Sequence, residues 1–364
     1  MRVVFTRGAL RYAMQTLRGA VSGKTTLPIL ENVLLDCRSD TIEMSATDLE
    51  VGIRTIAYGD VEEPGILTLP ARKLTEVTRE LPNEDVTLTV SDGNQVLIEC
   101  GDVTYLMFGL PADDFPRIPG LGDSYFTLDA AAVGRMIDSV RTAVSTESAR
   151  YSLNGVFFDV SPDWLRMVAT DSRRLAIANL DVSGLVEERR SAILPTRAVE
   201  GVLRSFVDVE EIRLALMENQ AVFSDGEITL SGRLINGEFP AYERIIPQDN
   251  PIHVITDREA FLTAVRRVSL FSDPKTLSVR LDISDQGITL SARSEDFGEA
   301  REAISADARE RIAVGFNAKF LTDALSSMDS ERVRMELKGP QDATVFRPVD
   351  GDDYAHLIMP MRLD

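Results

Sequence analysis

The heptapeptide Ala169-Thr170-Asp171-Ser172-Arg173-Arg174-Leu175 lies almost midway along the 364-residue chain, and its opening tripeptide occurs earlier as Ala46-Thr47-Asp48. The two copies are 123 positions apart, and the same step beyond Ala169 reaches Ala292-Arg293-Ser294. This step is far longer than the roughly 20 to 50 residues of a solenoid repeat. The sequence therefore predicts three consecutive copies of one domain.

Each third of the chain repeats the same order of hydrophobic patterns. An amphipathic helix comes first, then a pair of alternating strands, a further strand, and a strand that leads into a second helix. These segments are 7–21, 129–144 and 257–270 for the first helix, 31–46, 154–169 and 277–292 for the strand pair, and 65–81, 191–206 and 311–328 for the second helix with its strand. Three final strands close each unit. We infer an α+β fold built from the unit β-α-β-β-β-α-β-β-β, with domains at 1–121, 122–248 and 249–364.

Composition and the terminal segments indicate a folded protein that is not exported. The apolar fraction of 44% can fill several hydrophobic cores, and 364 residues exceed one comfortable core. The amino terminus lacks the pattern of a signal peptide, and no apolar run is long enough to span a membrane, so a cytoplasmic location is expected. Cys37 and Cys100 lie in apolar strand patterns, which favours buried free thiols.

The net charge of −19 argues, taken alone, against a nucleic-acid partner. Its distribution modifies that conclusion, because the six predicted helical segments carry a net +7 and the remainder carries −26. Arg7, Arg11 and Arg18 fall within roughly 40° of one another in helical projection. Arg72 with Arg79, and Arg197 with Arg204, repeat the arrangement at a spacing of seven. Solvated helix faces explain any one of these groups, but segregation of charge by element type indicates a basic helical surface.

Catalytic motifs are weak throughout the sequence. Gly19-Ala20-Val21-Ser22-Gly23-Lys24-Thr25 resembles a phosphate-binding loop but has three residues between its glycines where four are needed. His253 and His356 are the only histidines, and neither has a Cys or His partner at metal-ligand spacing. We therefore expect no catalytic site, metal or cofactor. Two alternatives stay open, a nucleotide hydrolase that uses Lys24 and an interaction protein of repeated domains without a DNA partner.

Seven motifs in order along the chain resemble the bacterial DNA polymerase III beta subunit family, the sliding clamps. They are Thr26-Leu27-Pro28-Ile29-Leu30-Glu31-Asn32, Ala46-Thr47-Asp48-Leu49-Glu50, Leu69-Pro70-Ala71-Arg72-Lys73, Leu153-Asn154-Gly155, Ala169 to Leu175, Gly237-Glu238-Phe239-Pro240-Ala241-Tyr242 and Met359-Pro360-Met361-Arg362-Leu363. The resemblance implies a non-catalytic processivity factor, a head-to-tail homodimeric ring with helices lining the bore and sheets forming the outer wall. It implies duplex DNA as a partner, together with the replicative polymerase alpha subunit, the clamp loader complex, and other polymerases and repair proteins with clamp-binding peptides.

The same resemblance assigns residues by matching position. Duplex contacts would come from Lys24, Arg72, Arg150 and Tyr151, beside the helical Arg7, Arg11 and Arg197 of the charge analysis. The ring interface would join Lys73 and Val77 of one chain to Leu270 and Phe271 of the next. A partner-peptide cleft would be lined by Leu153, Thr170, Ser172, Arg173, Arg174, Leu175, Pro240, Arg244, Ile245, Ile358, Met359, Pro360, Met361 and Arg362.

One departure from the family concerns the cleft. Family members often carry Gly-His where this chain has Ser172-Arg173, which affects peptide preference. We expect one cleft per chain, at the junction of the second and third domains. The first domain lacks the Arg173-Arg174 pair that could orient a peptide, the third has Ala292-Arg293-Ser294, and the apolar carboxyl-terminal strand occurs once.

Overall fold

The structure, a computed structural model, describes residues 1–23, 25–39, 41–147, 149–247, 249–351 and 353–362. It divides into two compact units. The first unit comprises Met1–Ala131 and Arg197–Leu234, and the second comprises Ala132–Thr196 and Ile235–Asp364. Within the described residues no helix has the length and apolar character needed to span a bilayer.

The helices and strands follow one another in three similar series. The first series is β1 (Arg2–Thr6), α1 (Arg7–Leu17), β2 (Asn32–Cys37), β3 (Ile42–Thr47), β4 (Val51–Ala57), β5 (Gly59–Glu63), β6 (Gly65–Pro70), α2 (Ala71–Glu80), β7 (Asp85–Val90), β8 (Gln95–Cys100) and β9 (Val103–Phe108). The second is β10 (Phe126–Asp129), α3 (Ala130–Val140), β11 (Gly155–Val160), β12 (Trp164–Thr170), β13 (Arg174–Asp181), β14 (Arg190–Pro195), α4 (Thr196–Ser205), β15 (Glu211–Leu216), β16 (Gln220–Ser224) and β17 (Ile228–Arg233). The third is β18 (Ile252–Asp257), α5 (Arg258–Ser269), β19 (Ser278–Ser284), β20 (Gly287–Ser294), β21 (Gly298–Ile304), β22 (Ala306–Ala308), β23 (Ile312–Asn317), α6 (Ala318–Ser326), β24 (Arg332–Leu337), β25 (Thr344–Pro348) and β26 (Tyr354–Ile358).

The first unit contains two antiparallel sheets. Five strands in the order β5-β1-β7-β8-β9 form one, and eight strands in the order β10-β15-β16-β17-β4-β3-β2-β6 form the other. Helix α1 begins where the Thr6 hydroxyl accepts a hydrogen bond from the Ala9 amide at 3.2 Å, which caps its first turn. Its buried side chains recur three and four residues apart and pack against the sheet, at Leu10, Ala13, Met14 and Leu17.

The second unit has the corresponding pair of sheets. Nine strands run in the order β14-β11-β12-β13-β26-β25-β24-β18-β22, and four run in the order β21-β20-β19-β23. In the nine-stranded sheet β13 pairs with β26, which sets Arg174 opposite Ile358 and Leu175 opposite Leu357. Residues far apart in sequence, from the middle and the end of the chain, are thereby neighbours in one hydrogen-bonded ladder.

The predicted helices are all present, although the first of each series ends earlier than expected. The helix predicted for 7–21, for example, ends at Leu17. The predicted repeat unit was wrong in its strand count, because five, four and five strands separate the two helices of the successive series. The strands β5 and β22, which make the first and third series one strand longer than the second, are short and polar or alternate weakly, so hydrophobic periodicity did not reveal them.

Candidate functional site

The stretch from Thr170 to Arg174 is a tight turn between β12 and β13 that its own side chains close. The Thr170 hydroxyl donates to the Arg174 carbonyl at 2.7 Å and accepts from the Ser172 amide at 3.1 Å. Asp171 Oδ1 accepts from the amides of Arg173 and Arg174 at 2.9 and 3.0 Å. Short polar side chains that bond to the backbone in this way favour turns over continued strand.

The same turn occurs between β3 and β4 and again between β16 and β17. Thr47 and Asp48 make the equivalent bonds to the backbone of 49–51, and Ser224 and Asp225 make them to 226–228. Its third residue is left-handed each time, with φ of 74° at Leu49, 75° at Ser172 and 109° at Gly226. The repeated Ala-Thr-Asp tripeptide thus encodes a hairpin turn, and that alone does not make a binding site.

The third series places a related but different turn at the corresponding hairpin. Ser294 ends β20 and Gly298 begins β21, the same four-residue step that separates Thr170 from Arg174. The structural counterpart of Thr170 is therefore Ser294, one position beyond the Arg293 that a fixed step of 123 gives. The Ser294 hydroxyl accepts from the Asp296 amide at 3.3 Å.

Arg174 is buried and fully engaged with the protein itself. Its guanidinium lies 3.0 Å from Asp171 Oδ2 and 2.6 Å from Asp323 Oδ2, and it donates to the Thr142 carbonyl. The guanidinium also stacks 4.4 Å above the ring centroid of Phe320. Arg174 thus joins the Thr-Asp turn to α6 and to the 3₁₀ turn Arg141–Ala143. From the sequence we expected this residue to orient the polar groups of a bound peptide.

Ser172 occupies a left-handed backbone conformation, with φ of 75°, that costs a residue with a side chain roughly 1 kcal/mol. Its hydroxyl accepts a hydrogen bond from Arg150, whose guanidinium is also 3.6 Å from Glu147. Arg150, predicted as a duplex contact, therefore lies beside the turn that carries the candidate cleft residues.

The carboxyl-terminal segment runs beside this turn. The Met359 amide donates to the Arg173 carbonyl at 2.8 Å, which extends the β13–β26 ladder by one bond. Two residues later the Met361 amide donates to the Gly315 carbonyl of β23 at 2.8 Å. Ile358 is fully buried, whereas Met359 is 45% exposed. The segment therefore combines a buried apolar side chain with an exposed one.

The 3₁₀ turn Tyr242–Arg244 carries a further part of the predicted cleft. Tyr242 is buried against Leu175 and Leu357 in one apolar cluster, and its hydroxyl donates to Asp159 Oδ2 at 2.8 Å. Burial raises the pKa of Tyr242 to about 12, so the hydroxyl keeps its proton. Arg244, Ile245 and Pro240 next to it are exposed.

A charged network that we did not predict fixes this turn. Asp159 is fully buried and receives both Arg189 Nε at 2.8 Å and Arg189 Nη2 at 2.6 Å. Arg189 also reaches Glu243 at 3.1 Å. The hydrogen bonds to Asp159 first, and to Glu243 second, raise the pKa of the Arg189 guanidinium. A carboxylate within the apolar strand Gly155–Val160 was the available signal, since a buried charge requires a partner.

These elements assemble most of the predicted cleft residues in the second unit. Thr170, Leu175 and Ile358 are buried, and the exposed members of the predicted set are Ser172, Arg173, Pro240, Arg244, Ile245, Met359 and Arg362. Leu153 is nearly buried on the 3₁₀ turn Tyr151–Leu153, and Pro360 and Met361 are half-buried. Apolar groups with an adaptable methionine and a polar rim suit a short peptide.

Comparison with known proteins decides the family. Sequence models of the DNA polymerase III beta subunit match over their N-terminal domain at residues 1–119, their central domain at 127–241 and their C-terminal domain at 243–362. The chain belongs to the DNA polymerase III beta subunit family. The beta sliding clamps of Pseudomonas putida KT2440 and Escherichia coli K12 are 32% and 29% identical to it, each over 100% of both chains.

Solved structures of the family agree. The DNA polymerase III beta subunit of Pseudomonas aeruginosa has a TM-score of 0.95 at 31% identity, and the sliding clamp of Bacillus subtilis has a TM-score of 0.96 at 25% identity, each over 100% of both chains. A P. aeruginosa sliding clamp bound to griselimycin has a TM-score of 0.95 at 32% identity. Three tandem clamp domains of mixed helix and antiparallel sheet, as expected from the sequence, are confirmed.

In this chain the residues predicted to contact DNA have different surroundings. Arg11 and Tyr151 are exposed, and the Arg72 side chain is 94% exposed. Arg7 donates to the Arg79 carbonyl at 2.9 Å and so connects α1 to α2, and Arg197 is paired with Asp48 of the first Thr-Asp turn. Lys24 lies outside the described residues.

The residues predicted for the ring interface are unequal in exposure. Leu270 is 76% exposed and Phe271 is partly exposed, whereas Val77 is buried and Lys73 is paired with Glu76. Leu106 and Phe108 on β9, the edge strand of the five-stranded sheet, are also highly exposed and were not predicted. Both residues lie in the strand Val103–Phe108, one of the three final strands expected for the first domain.

The metal ligands, thiols and imidazoles that catalysis often uses are sparse in the described residues. No group of three or more His, Cys, Asp or Glu among them could hold a metal ion. The expectation of buried free thiols is confirmed for Cys37 and Cys100, and burial raises the pKa of Cys37 to about 12. His356 is buried against Tyr354, and burial lowers its pKa to about 3.

Proposed function

We propose that two copies of this chain close head to tail into a ring that encircles duplex DNA and confers processivity on the replicative polymerase. Membership of the DNA polymerase III beta subunit family over the full chain is the observation that carries this proposal. The family acts as a processivity factor and not as an enzyme, so the hydrolase alternative has no support. The domain boundaries of 1–121, 122–248 and 249–364 stay a prediction.

Loose electrostatic contact with DNA is part of the proposal. A protein that grips phosphates strongly cannot slide, and a modest basic surface on the helices avoids that. Arg11, Arg18 and Arg72 are exposed and thus suited to water-separated contact, with Lys24, Arg150, Tyr151 and Arg197 as further predicted contacts. Topological linkage keeps the polymerase at high effective concentration near the primer end. Cytoplasmic location follows from this function.

The peptide cleft is the proposed attachment point for the polymerase alpha subunit, the clamp loader, and other polymerases and repair proteins. Exposed Met359, Ile245 and Pro240 above a buried base support recognition of a short apolar peptide, with Arg173, Arg244 and Arg362 available for its polar groups. One cleft per chain and two per ring are expected.

Ring closure is proposed to bring the exposed Leu270 and Phe271 of one chain against Leu106 and Phe108 of its partner. Exposed apolar side chains of this size favour burial in an interface. Lys73 would lie at the polar rim of this interface, and the buried Val77 would pack beneath the interface.

Retention on circular DNA tests the function directly. The protein, loaded onto nicked circular plasmid by its clamp loader, is expected to stay bound through a wash at high salt and to dissociate once a restriction enzyme linearises the circle. Dissociation from the intact circle during the wash would contradict a topological link. Equal retention on linear DNA would contradict it as well.

A further inference from the structure

The outer face of the four-stranded sheet carries a concentration of arginines. In an antiparallel sheet, directly paired residues point to the same face. Gly315, Arg280, Ser291 and Arg301 are paired in one row across β23, β19, β20 and β21. Arg293 lies two residues along β20 and therefore on the same face. The alternate residues Val279, Leu281 and Leu290 are buried on the opposite face.

This face and the carboxyl-terminal segment together form a groove, which we name the tail groove. It has a volume of about 590 Å³ and is lined chiefly by Ser278, Arg280, Ser291, Arg293, Arg301 and Met361. Gly315, which has no side chain, and Ser291, whose side chain is small, are the ladder partners of Arg280 on this face. Met361 is held at its edge by the hydrogen bond to the Gly315 carbonyl.

The charge of the tail groove is opposite to that of the chain. Its lining includes four arginines, counting Arg362, and two acids, Asp282 and Glu299. Arg280 is paired with Asp282 at 2.7 Å, but within the described residues no ion pair engages Arg293 or Arg301, although Glu299 lies opposite Arg293 in the ladder. A net positive groove on a chain of net charge −19 is contrary to the acidic non-helical surface expected from the sequence.

Met361 and Arg362 connect the tail groove to the candidate cleft. Both line the groove, and both belong to the segment whose Met359 bonds to the Thr-Asp turn. A peptide seated over this segment therefore has the groove next to one of its ends. An acidic flank on the peptide would meet unpaired guanidinium groups there.

We propose that the tail groove extends the cleft and binds acidic residues that flank the clamp-binding core of a partner peptide. This inference rests on the proposed function of the cleft and adds a specificity element to it. Carboxylates placed singly along a peptide can pair with Arg293 and Arg301, which make no ion pair within the described residues, and the same lining holds the acids Asp282 and Glu299. A continuous phosphate backbone would meet these acids, and the described lining residues offer no aromatic ring for stacking of bases, so a peptide is favoured over single-stranded DNA.

Peptide titration by fluorescence anisotropy tests the proposal on the full-length protein. The probes are five synthetic peptides that share the clamp-binding segment of the host polymerase alpha subunit. One is unflanked, two carry four glutamates at the amino or the carboxyl end, and two carry four lysines at the amino or the carboxyl end. One of the glutamate-flanked peptides is expected to bind about fivefold more tightly than the unflanked peptide at low salt, as two or three exposed ion pairs allow. The gain should diminish as salt is raised.

Paired variants locate the effect. Arg293→Gln with Arg301→Gln should remove the glutamate gain and leave the affinity for the unflanked peptide unchanged. Arg309→Gln with Arg311→Gln removes two exposed arginines of the same region outside the groove lining and should retain the gain. Equal affinity for all peptides, or a gain that survives in the groove variant, would overturn the proposal.

Two further outcomes distinguish failure of the groove from failure of the cleft. If the unflanked peptide fails to bind the wild-type protein, the proposed cleft itself is refuted, and its extension is refuted with it. If a dT20 oligonucleotide binds the wild-type protein but not the groove variant, while glutamates have no effect, the groove serves nucleic acid and the peptide proposal is wrong.

Discussion

Replacing Arg174 with glutamine would remove a guanidinium that holds together two carboxylates, a carbonyl and an aromatic ring. Removal of one partner from a buried ion pair costs about 3 to 5 kcal/mol. The lower end applies because Lys319 still reaches Asp323 at 2.8 Å and Asp171 keeps two backbone amides. We therefore expect a loss of about 3 kcal/mol, or about 6 to 12 °C in melting temperature for a unit of this size.

The measurement is differential scanning calorimetry of the full chain together with peptide titration. Arg174→Gln and Asp323→Asn should each weaken peptide binding, since each releases the turn that carries Ser172 and Arg173, and the double variant should add little. Lys319→Gln is the matched control, because its exposed side chain contributes little to stability.

Two results would refute this reasoning. A melting temperature within about 1 °C of wild type for Arg174→Gln would show that the buried contacts do not stabilise the unit. Normal peptide affinity in Asp323→Asn, with none in Arg174→Gln, would mean that Arg174 touches the peptide directly, as the sequence had suggested.

The remaining predictions concern the ring, the cleft, the bore and a buried imidazole. Leu270→Ala with Phe271→Ala should give monomers at micromolar concentration in sedimentation velocity, and a persistent dimer would contradict the interface. Removal of residues 359–364 should abolish peptide binding in calorimetry while the dimer remains. For the full-length protein, a stoichiometry near two peptides per chain would disprove the single cleft. Arg11→Ala with Arg18→Ala should reduce loading on DNA without lowering the melting temperature. Arg7→Ala should lower the melting temperature, because the hydrogen bond to Arg79 is lost. If the double variant and the Arg7 variant were equally destabilised, the whole face would have a structural role. Because the pKa of His356 is lowered to about 3, the unfolded chain takes up a proton below pH 6.5 that the folded chain refuses, so stability falls as pH falls from 6.5 towards 3. His356→Gln should remove about 2 kcal/mol of the change in the free energy of unfolding between pH 8 and pH 5, measured by urea denaturation. His253→Gln, at an exposed histidine, is the control. An unchanged pH dependence of stability in His356→Gln would contradict the prediction.

Local chemistry made part of the site readable from sequence. The Thr-Asp turn is closed by side chains acting on amides two to four residues away, so its composition alone predicts a turn at 47–51 and at 170–174. The third copy, at Ser224 and Asp225, has a different first residue and lies outside the 123-residue step, so the repeated tripeptide does not predict it.

Long-range pairing was beyond such reasoning. Tyr242 and Asp159 are 83 positions apart, and nothing near either residue specifies the other as its partner. The burial of Arg174 depends on Asp323, which is 149 positions away. Resemblance to the family assigned cleft residues along the chain, but it could not tell which arginine faces solvent and which one is enclosed.

Two of the sheets cross the predicted domain boundaries, which limits how the chain can be divided. Ladder bonds join β17 to β4 and β13 to β26, each over five residue pairs. A fragment of residues 122–248 would carry β13 and β17 with their outer edges bare, and bare edges recruit other strands. Isolated central domains are therefore poor reagents for mapping partners, and they are expected to aggregate unless strands equivalent to both β4 and β26 are supplied.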